Sequence, residues 1–161
     1  MISIRPYRAA DTPDLVALIR ASIRSVPEHD YSGWQGQAWA SAISDEARFA
    51  ARCASRSTWV AETEGCIAGF SDLESDGHID MLYVRPDFQR RGVARVLLAQ
   101  VEKAARETDL HRLYTEASVT ARAVFEARGF RVISPQTVTV GGESMINYRM
   151  EKRLDLRLAP P

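Results

Sequence analysis

Apolar and polar positions alternate over the first residues of the chain and then recur at helical spacing. The alternation at residues 2–7 predicts a strand. Asp11, with Pro13 two residues later, is typical of a helix start, because a carboxylate can cap a helix and proline fits its first turn. Apolar residues then repeat at helical intervals up to Pro27, which ends or bends the helix. Residues 45–52 predict a second, short helix.

Strand patterns dominate the middle of the chain. The runs at residues 58–63 and 66–73 are separated by a Glu-Gly pair and predict a hairpin. A further apolar run at residues 78–84 predicts one continuous strand. From Gly92 onward, apolar residues return to helical spacing and predict a long helix that ends near residue 108.

The last third of the chain repeats this mixture. A short strand is predicted at residues 113–117 and a helix at residues 120–128, which Gly129 ends as a left-handed cap. Residues 131–140 and 144–151 predict a closing antiparallel pair. The order is strand, two helices, three strands, helix, strand, helix and two strands, which indicates an α/β fold.

Composition limits the classes of partner. The chain of 161 residues is long enough for one domain with a hydrophobic core, and we expect residues 1–153 to form it, followed by a frayed tail at residues 154–161. Lys and Arg together number 21, as do Asp and Glu, so the net charge is zero. This balance gives no general attraction to nucleic acid or to an anionic membrane, and we expect neither partner.

Cysteine and histidine usage argues against metal and thiol chemistry. Cys53 and Cys66 are the two cysteines, and they do not have metal-ligand spacing to the three histidines. We therefore expect no metal site, no disulfide framework and a reducing, cytoplasmic compartment. Both cysteines lie in segments with the pattern of core elements, which argues against a catalytic thiol. The chain begins without an apolar signal segment, and no stretch has membrane-spanning length.

The most informative segment joins the apolar strand to the long helix. Residues 85–92 form a turn that contains Arg85, Arg90, Arg91 and Gly92, and Arg95 follows in the helix. Such a turn directs several main-chain N–H groups into one concavity at a helix N-terminus, where the helix dipole also favours negative charge. Gly92 lets the backbone approach a ligand because it has no side chain. The turn predicts a phosphate or pyrophosphate site; the alternative is an ordinary strand-to-helix turn with solvated arginines.

The spacing within this turn differs from that of two common phosphate-binding loops. Gln89-x-x-Gly92-x-Ala94 lacks the three glycines of the dinucleotide fingerprint and the Lys-Ser/Thr ending of the nucleoside-triphosphate loop. It resembles the acetyl-CoA pyrophosphate loop of the GNAT N-acetyltransferases, whose pattern is Gln/Arg-x-x-Gly-x-Gly/Ala after a strand ending in Val-x-Pro. Val84 and Pro86 match that strand ending.

Residues 116–130 resemble a second block of the same family, Asn/Ser-x-x-Ala-x-x-Phe/Leu-Tyr-Glu-x-x-Gly-Phe. Ser118 stands where many members have an asparagine near the pantetheine arm, and Gly129-Phe130 match directly. One position departs from the pattern. Phe125 replaces the usual tyrosine, whose phenol can protonate the departing CoA thiolate, and phenylalanine has no proton to give.

The resemblance extends from residue 2 to about residue 153 and implies both a fold and an activity. The implied fold is a mixed, mostly antiparallel central sheet of about seven strands with flanking helices, in which strands four and five are splayed. The implied activity is transfer of an acetyl group from acetyl-CoA, a cosubstrate, directly to a small-molecule or peptide amine in a ternary complex, by a monomer or a homodimer. The implied acetyl-CoA contacts, made largely by main-chain groups, are Leu82, Tyr83, Val84, Gln89, Arg90, Arg91, Gly92, Val93, Ala94, Arg95, Ser118 and Phe125.

Two candidates for the base that takes the amine proton lie on the strand before the loop. His78 and Asp80 are two residues apart and therefore share a strand face. A histidine titrates near neutral pH, whereas an aspartate needs a raised pKa for this role. The alternatives are a solvated histidine at the start of the strand and an aspartate that serves as a structural hydrogen-bond acceptor.

Residues 28–45 have no clear period but are rich in aromatic side chains. Tyr31, Trp34 and Trp39 lie where GNAT proteins build the wall of the acceptor site, and Tyr31 could replace the missing phenol. The alternative is that the tryptophans fill the core.

Two other functions stay open at this point. Phe125 is compatible with an acyl-CoA-binding or regulatory GNAT module that has little or no catalytic activity. The loop alone is also compatible with a domain that binds nucleotide phosphates.

Overall fold

The computed structural model describes residues 1–27, 30 and 45–155. Within these residues the chain forms eight strands and four α-helices, in the order predicted from the sequence. Their bounds are β1 (Ser3–Pro6), α1 (Thr12–Arg24), α2 (Glu46–Ala54), β2 (Ser57–Thr63), β3 (Cys66–Leu73), β4 (His78–Ile79), β5 (Leu82–Val84), α3 (Val93–Glu107), β6 (Arg112–Ser118), α4 (Arg122–Ala127), β7 (Arg131–Val140) and β8 (Glu143–Arg153).

The strands form two sheets of four strands each. The first has the order β1-β2-β3-β5 and the second the order β4-β6-β8-β7. All of these pairings are antiparallel except that of β4 with β6. The predicted α/β fold with mixed, mostly antiparallel pairing is confirmed. The expected count of about seven strands becomes eight, because the strand predicted at residues 78–84 is divided in two.

The division falls at Asp80 and Met81, which belong to neither β4 nor β5. Ile79 is buried in the core beneath α3 and α4, whereas Met81, two residues later, is buried in the core beneath α1 and α2. Residues two apart in a regular strand face the same way, so one residue is inserted here as a bulge. The prediction of one continuous strand over residues 78–84 is therefore wrong.

The bulge separates the two sheets. β4 pairs in parallel with β6 at His78–Tyr114 and Ile79–Thr115. Within the described residues, β5 pairs only with β3, and β6 beyond Thr115 pairs only with β8. A gap therefore opens between β5 and the C-terminal half of β6, which is the predicted splay.

Helices cover both faces of this arrangement. α1 and α2 pack on one face of the first sheet, and α3 packs on the opposite face. α4 and the second half of α3 pack on the second sheet. The core beneath α1 and α2 consists of Leu15, Val16, Leu18, Ile19, Ile23, Phe49, Cys53, Val60, Phe70 and Met81.

The two ends of the described chain differ in detail from expectation. Asp11 precedes α1 but does not cap it, because its carboxylate accepts hydrogen bonds from the Arg5 guanidinium and from the Arg8 N–H, each at 2.8 Å. Leu154 was expected to begin the frayed tail, but its side chain is buried in the core. Its N–H donates to the His111 carbonyl at 2.8 Å. Residues 156–161 lie outside the described residues.

Candidate functional site

The gap between the sheets is lined on one side by main-chain groups of β5. The Arg85 N–H donates to the Ala68 carbonyl at 2.8 Å, which sets the phase of the β3–β5 ladder. Opposite residues in an antiparallel ladder alternate between bonded and non-bonded pairs. By this alternation Leu82 and Val84 are in non-bonded pairs, so their N–H and C=O groups face away from β3, on the side of the gap. The Val84 carbonyl there already accepts a hydrogen bond from the Ser22 hydroxyl of α1 at 2.9 Å. The Tyr83 ring packs against the core beneath α1 and α2 and stacks on Phe70, with ring centroids 5.6 Å apart.

The opposite side of the gap is formed by the end of β6 and the start of α4. The Ser118 hydroxyl accepts a hydrogen bond from the Ala121 N–H at 3.0 Å and so shapes the turn into α4. Phe125 is only 3% exposed and meets Phe130 edge-on, with centroids 5.2 Å apart. The Phe125 ring therefore serves mainly as core in this structure.

The predicted phosphate loop lies where β5 runs into α3. Gly92 immediately precedes α3 with a φ of +86°, and Arg90 also has a positive φ, +60°. A Cβ built on Gly92 meets no atom within 4 Å, so the space beside this residue is open. The main-chain N–H groups of residues 90–95 donate to no acceptor within the part of the chain that the structure describes. They are therefore free to bind an anion.

Side chains around these N–H groups divide into anchors and free cations. Val93 is 1% exposed and anchors the start of α3 in the core, and Ala94 is half-buried, so both present mainly their main chain. Gln89, Arg90 and Arg95 are exposed. Neither of these arginines forms an ion pair with another described residue.

The other two arginines of the predicted cluster are already paired. Arg85 binds Asp87 at 2.7 Å, and Arg91 binds Glu64, which lies in the turn between β2 and β3. Both guanidinium groups also lie over the ring of buried Phe88, at 5.1 and 4.9 Å from its centroid. These contacts hold the loop in shape, and the positive field at the loop is weaker than four free arginines would give.

His78 is held between two carboxylates. Its Nδ1 lies 2.7 Å from Glu74, its Nε2 lies 2.9 Å from Glu116, and its ring stacks on Tyr114. Burial favours the neutral imidazole, but the hydrogen bonds and charges of Glu74 and Glu116, with a smaller contribution from Asp80, outweigh it and raise the pKa of His78 above its usual 6.5. A ring with carboxylates at both nitrogens is stabilised as the imidazolium.

Asp80, the second candidate base, lies in the bulge two residues after His78. Its carboxylate accepts hydrogen bonds from Arg52, at 2.8 Å through Nε, and from Arg56, at 2.8 Å. Arg56 also reaches Glu74 at 3.0 Å, so one guanidinium joins the surroundings of both candidate bases. Both candidates are thus members of one ionic network beneath α2.

The other members of this network, Arg52, Arg56, Glu74 and Glu116, were not among the predicted site residues. Arg52 lies in the last turn of α2 and Arg56 two residues after the helix ends, so no helical spacing marks them as a pair. Glu116 meets His78 only because β4 pairs in parallel with β6, and no local pattern shows this register. Tyr31, Trp34 and Trp39, the predicted acceptor wall, lie outside the described residues.

The described residues give little support for a reactive thiol, a metal site or a membrane span. Burial raises the pKa of the Cys53 thiol to about 11, which disfavours a thiolate. No group of three or more His, Cys, Asp or Glu side chains in the described ranges is placed to hold a metal ion. No helix among residues 1–27 and 45–155 is long and apolar enough to cross a membrane.

Comparison with known proteins places this geometry in context. The family model for the acetyltransferase (GNAT) domain matches residues 27–152. The N-acetyltransferase YafP of Escherichia coli K12, itself uncharacterized, is 35% identical over 150 residues, which is 92% of this chain and 94% of YafP. Among solved structures, a GCN5-related N-acetyltransferase from Rhodopseudomonas palustris has a TM-score of 0.91 and 39% identity, covering 94% of this chain and 95% of that one. PaiA N-acetyltransferase from Thermoplasma acidophilum, solved with coenzyme A, has a TM-score of 0.78 and 17% identity, covering 96% and 99%.

The ionic cage around His78 leads to a prediction about its titration. Removal of one carboxylate by Glu116→Gln should lower the pKa of His78 toward its ordinary value, because a neutral amide stabilises the imidazolium less. An NMR titration of the His78 ring protons measures this, with the exposed His111 signal as an internal reference. An unchanged His78 titration in Glu116→Gln would show that the Glu116 contact does not set its charge state.

Proposed function

This chain belongs to the GNAT family of acetyltransferases, and we propose that it transfers an acetyl group from acetyl-CoA directly to an amine in a ternary complex. The acceptor is proposed to be a small molecule or a peptide amine, which is the range of acceptors on which the family acts. The observation that carries this proposal is the continuity of the gap with the phosphate loop. Main-chain groups of Leu82 and Val84 and the free N–H groups of residues 90–95 occupy one short stretch of chain.

This stretch fits two consecutive parts of a CoA thioester, the pyrophosphate and the pantetheine arm. We infer that the pyrophosphate binds the N–H groups of residues 90–95, with Arg90 and Arg95 as further cations. We infer that the pantetheine arm runs along β5 and bonds the main chain of Leu82 and Val84 in place of a neighbouring strand. Because the contacts are main-chain contacts, the apolar side chains of β5 do not oppose them.

The reaction forms a C–N bond from the amine nitrogen to the acetyl carbon and breaks the C–S bond of the thioester. The amine must lose a proton, and His78 or Asp80 is proposed to take it, directly or through water. His78 can accept a proton only as the neutral imidazole. Because its two carboxylate neighbours raise its pKa, it becomes available as a base only at higher pH. Tyr31, the third candidate, is proposed only as a source of a proton for the departing thiolate, since Phe125 has none.

A second candidate function is an acyl-CoA-binding or regulatory module with little catalysis. The observation that favours it is the state of the candidate catalytic groups: Asp80 is paired with two guanidinium groups, and a buried phenylalanine occupies the usual tyrosine position. Both functions require CoA binding. Acceptor-dependent release of free thiol distinguishes them, because a binding module releases none.

The placement of CoA is tested by Gly92→Val. A valine side chain at this position fills the open space beside the loop and should weaken CoA binding by at least about tenfold. Isothermal titration with CoA measures the change in Kd. Gly142→Val is the matched control, because Gly142 also has a positive φ, +83°, and also has open space beside it, but lies in the β7–β8 turn. It should bear the same backbone strain without loss of CoA affinity, and equal affinities for the two variants would contradict the placement.

The catalytic assignment is tested by thiol release from acetyl-CoA across a panel of amines and peptides. On an acceptor that gives turnover, His78→Ala or Asp80→Asn should lower kcat by at least about tenfold, since general-base assistance is worth roughly a hundredfold to ten-thousandfold. The CoA Kd should change little, and His111→Ala is the control. If His78 is the base, the rate should rise with pH through a midpoint above 6.5. Full activity of both variants would reject both bases, and no thiol release with any acceptor would favour the binding module.

A further inference from the structure

Asp72, near the end of β3, has a buried carboxylate that contacts the main chain of the bulge. The side chain is 0% exposed. Its Oδ1 accepts hydrogen bonds from the N–H groups of Asp80, at 2.9 Å, and Met81, at 2.8 Å. Its Oδ2 accepts a hydrogen bond from Arg56 at 3.1 Å. A buried carboxylate is costly unless donors satisfy it, so these three donors account for its presence in the core.

The two N–H groups that Asp72 binds are consecutive, and they belong to the two residues at which the strand is divided. In an extended strand, successive N–H groups point to opposite neighbours. Here both converge on one oxygen, so neither can join a ladder with β6. The carbonyl of Met81 is also held from β3, by the Ser71 hydroxyl at 2.7 Å and the Asp72 N–H at 3.3 Å. The Met81 groups face β3 as the β3–β5 ladder requires, so the Asp80 N–H is the group that the Asp72 carboxylate turns from the β6 side toward β3.

We propose that Asp72 is the positioning residue that holds the gap between β5 and β6 open for the pantetheine arm. This inference rests on the proposed function for its ligand. When Asp72 binds both the Asp80 and the Met81 N–H groups, the alternation of side chains along the strand shifts by one residue. Ile79 and Met81 then lie in different cores. β5 then leaves β6, and the main-chain groups of Leu82 face the gap.

Arg56 gives the carboxylate a second connection. One nitrogen, Nη1, binds Asp72, Glu74 and Asp80, so the residue that holds the bulge and the candidate base share a cation. An asparagine at position 72 keeps an oxygen for the Asp80 and Met81 N–H groups, but its amide nitrogen cannot accept from Arg56. Asp72→Asn therefore separates the bulge contact from the ionic contact, and Asp72→Ala removes both.

The test compares three variants by CoA titration and by NMR amide exchange of Asp80 and Met81. Asp72→Ala should weaken CoA binding by at least about tenfold and speed exchange of both amides, and Asp72→Asn should restore most of the affinity and the protection. Glu102→Ala is the matched control, because Glu102 is also a buried carboxylate, 6% exposed and bonded to Lys152 at 2.7 Å, but lies on α3 away from the gap. It should keep the CoA affinity within about threefold of wild type.

Each outcome decides the proposal. A folded Asp72→Ala that binds CoA as the wild type does would overturn it, as would a Glu102→Ala variant with the same loss of affinity. If Asp72→Ala does not fold, Asp72→Asn decides: protected amides with CoA binding support the proposal, and unprotected amides with wild-type CoA binding overturn it. Wild-type protein that does not bind CoA would instead overturn the proposed function, and amide exchange would still show whether Asp72 holds the bulge.

Discussion

The hydrogen bonds from the Asp80 and Met81 N–H groups to the buried Asp72 carboxylate are the interaction on which the rest of the structure depends. Without them, residues 78–84 have the apolar pattern of one strand that would join both sheets along its whole length. With them, the first half of that segment pairs with β6 and the second half with β3. Burial raises the pKa of Asp72 to about 6, against the opposing effects of the Met81 N–H and Arg56, so the ionised carboxylate is kept at a cost in stability. Such a cost is common at functional sites.

The division of the sheet and the start of α3 together make a site from main-chain groups. The phase of β5 turns the main-chain groups of Leu82 and the Val84 N–H toward the gap, and the left-handed Gly92 leaves the first N–H groups of α3 open. A site of this kind depends on backbone geometry more than on side-chain identity. An apolar strand can therefore border a proposed binding site for a polar arm. Of the four nearby arginines, Arg90 and Arg95 have no ion pair among the described residues.

The elements and the loop could be predicted from sequence because their signals are local. Helical and strand periods, the turn glycines and the Gln89-x-x-Gly92-x-Ala94 spacing each lie within a few residues. The resemblance implied the splay, but the local pattern gave no sign of the break at Asp80 and Met81, since the carboxylate that holds it lies eight residues earlier and acts only after β3 and β5 pair. For the same reason Glu116 was not expected beside His78, because it reaches the ring through a parallel register between distant segments. Phe125 was identified from its block, but its burial against Phe130 follows from packing alone.

The gap between β5 and β6 is the proposed site of the pantetheine arm of acetyl-CoA. The most direct measurement is a crystal structure of the protein with acetyl-CoA or a non-hydrolysable analogue. We expect the pantetheine amides to bond main-chain groups of Leu82 and Val84, and the pyrophosphate to contact the N–H groups of residues 90–95. A cofactor bound away from this gap, or a β5 strand that pairs with β6 along its length in the complex, would contradict the account.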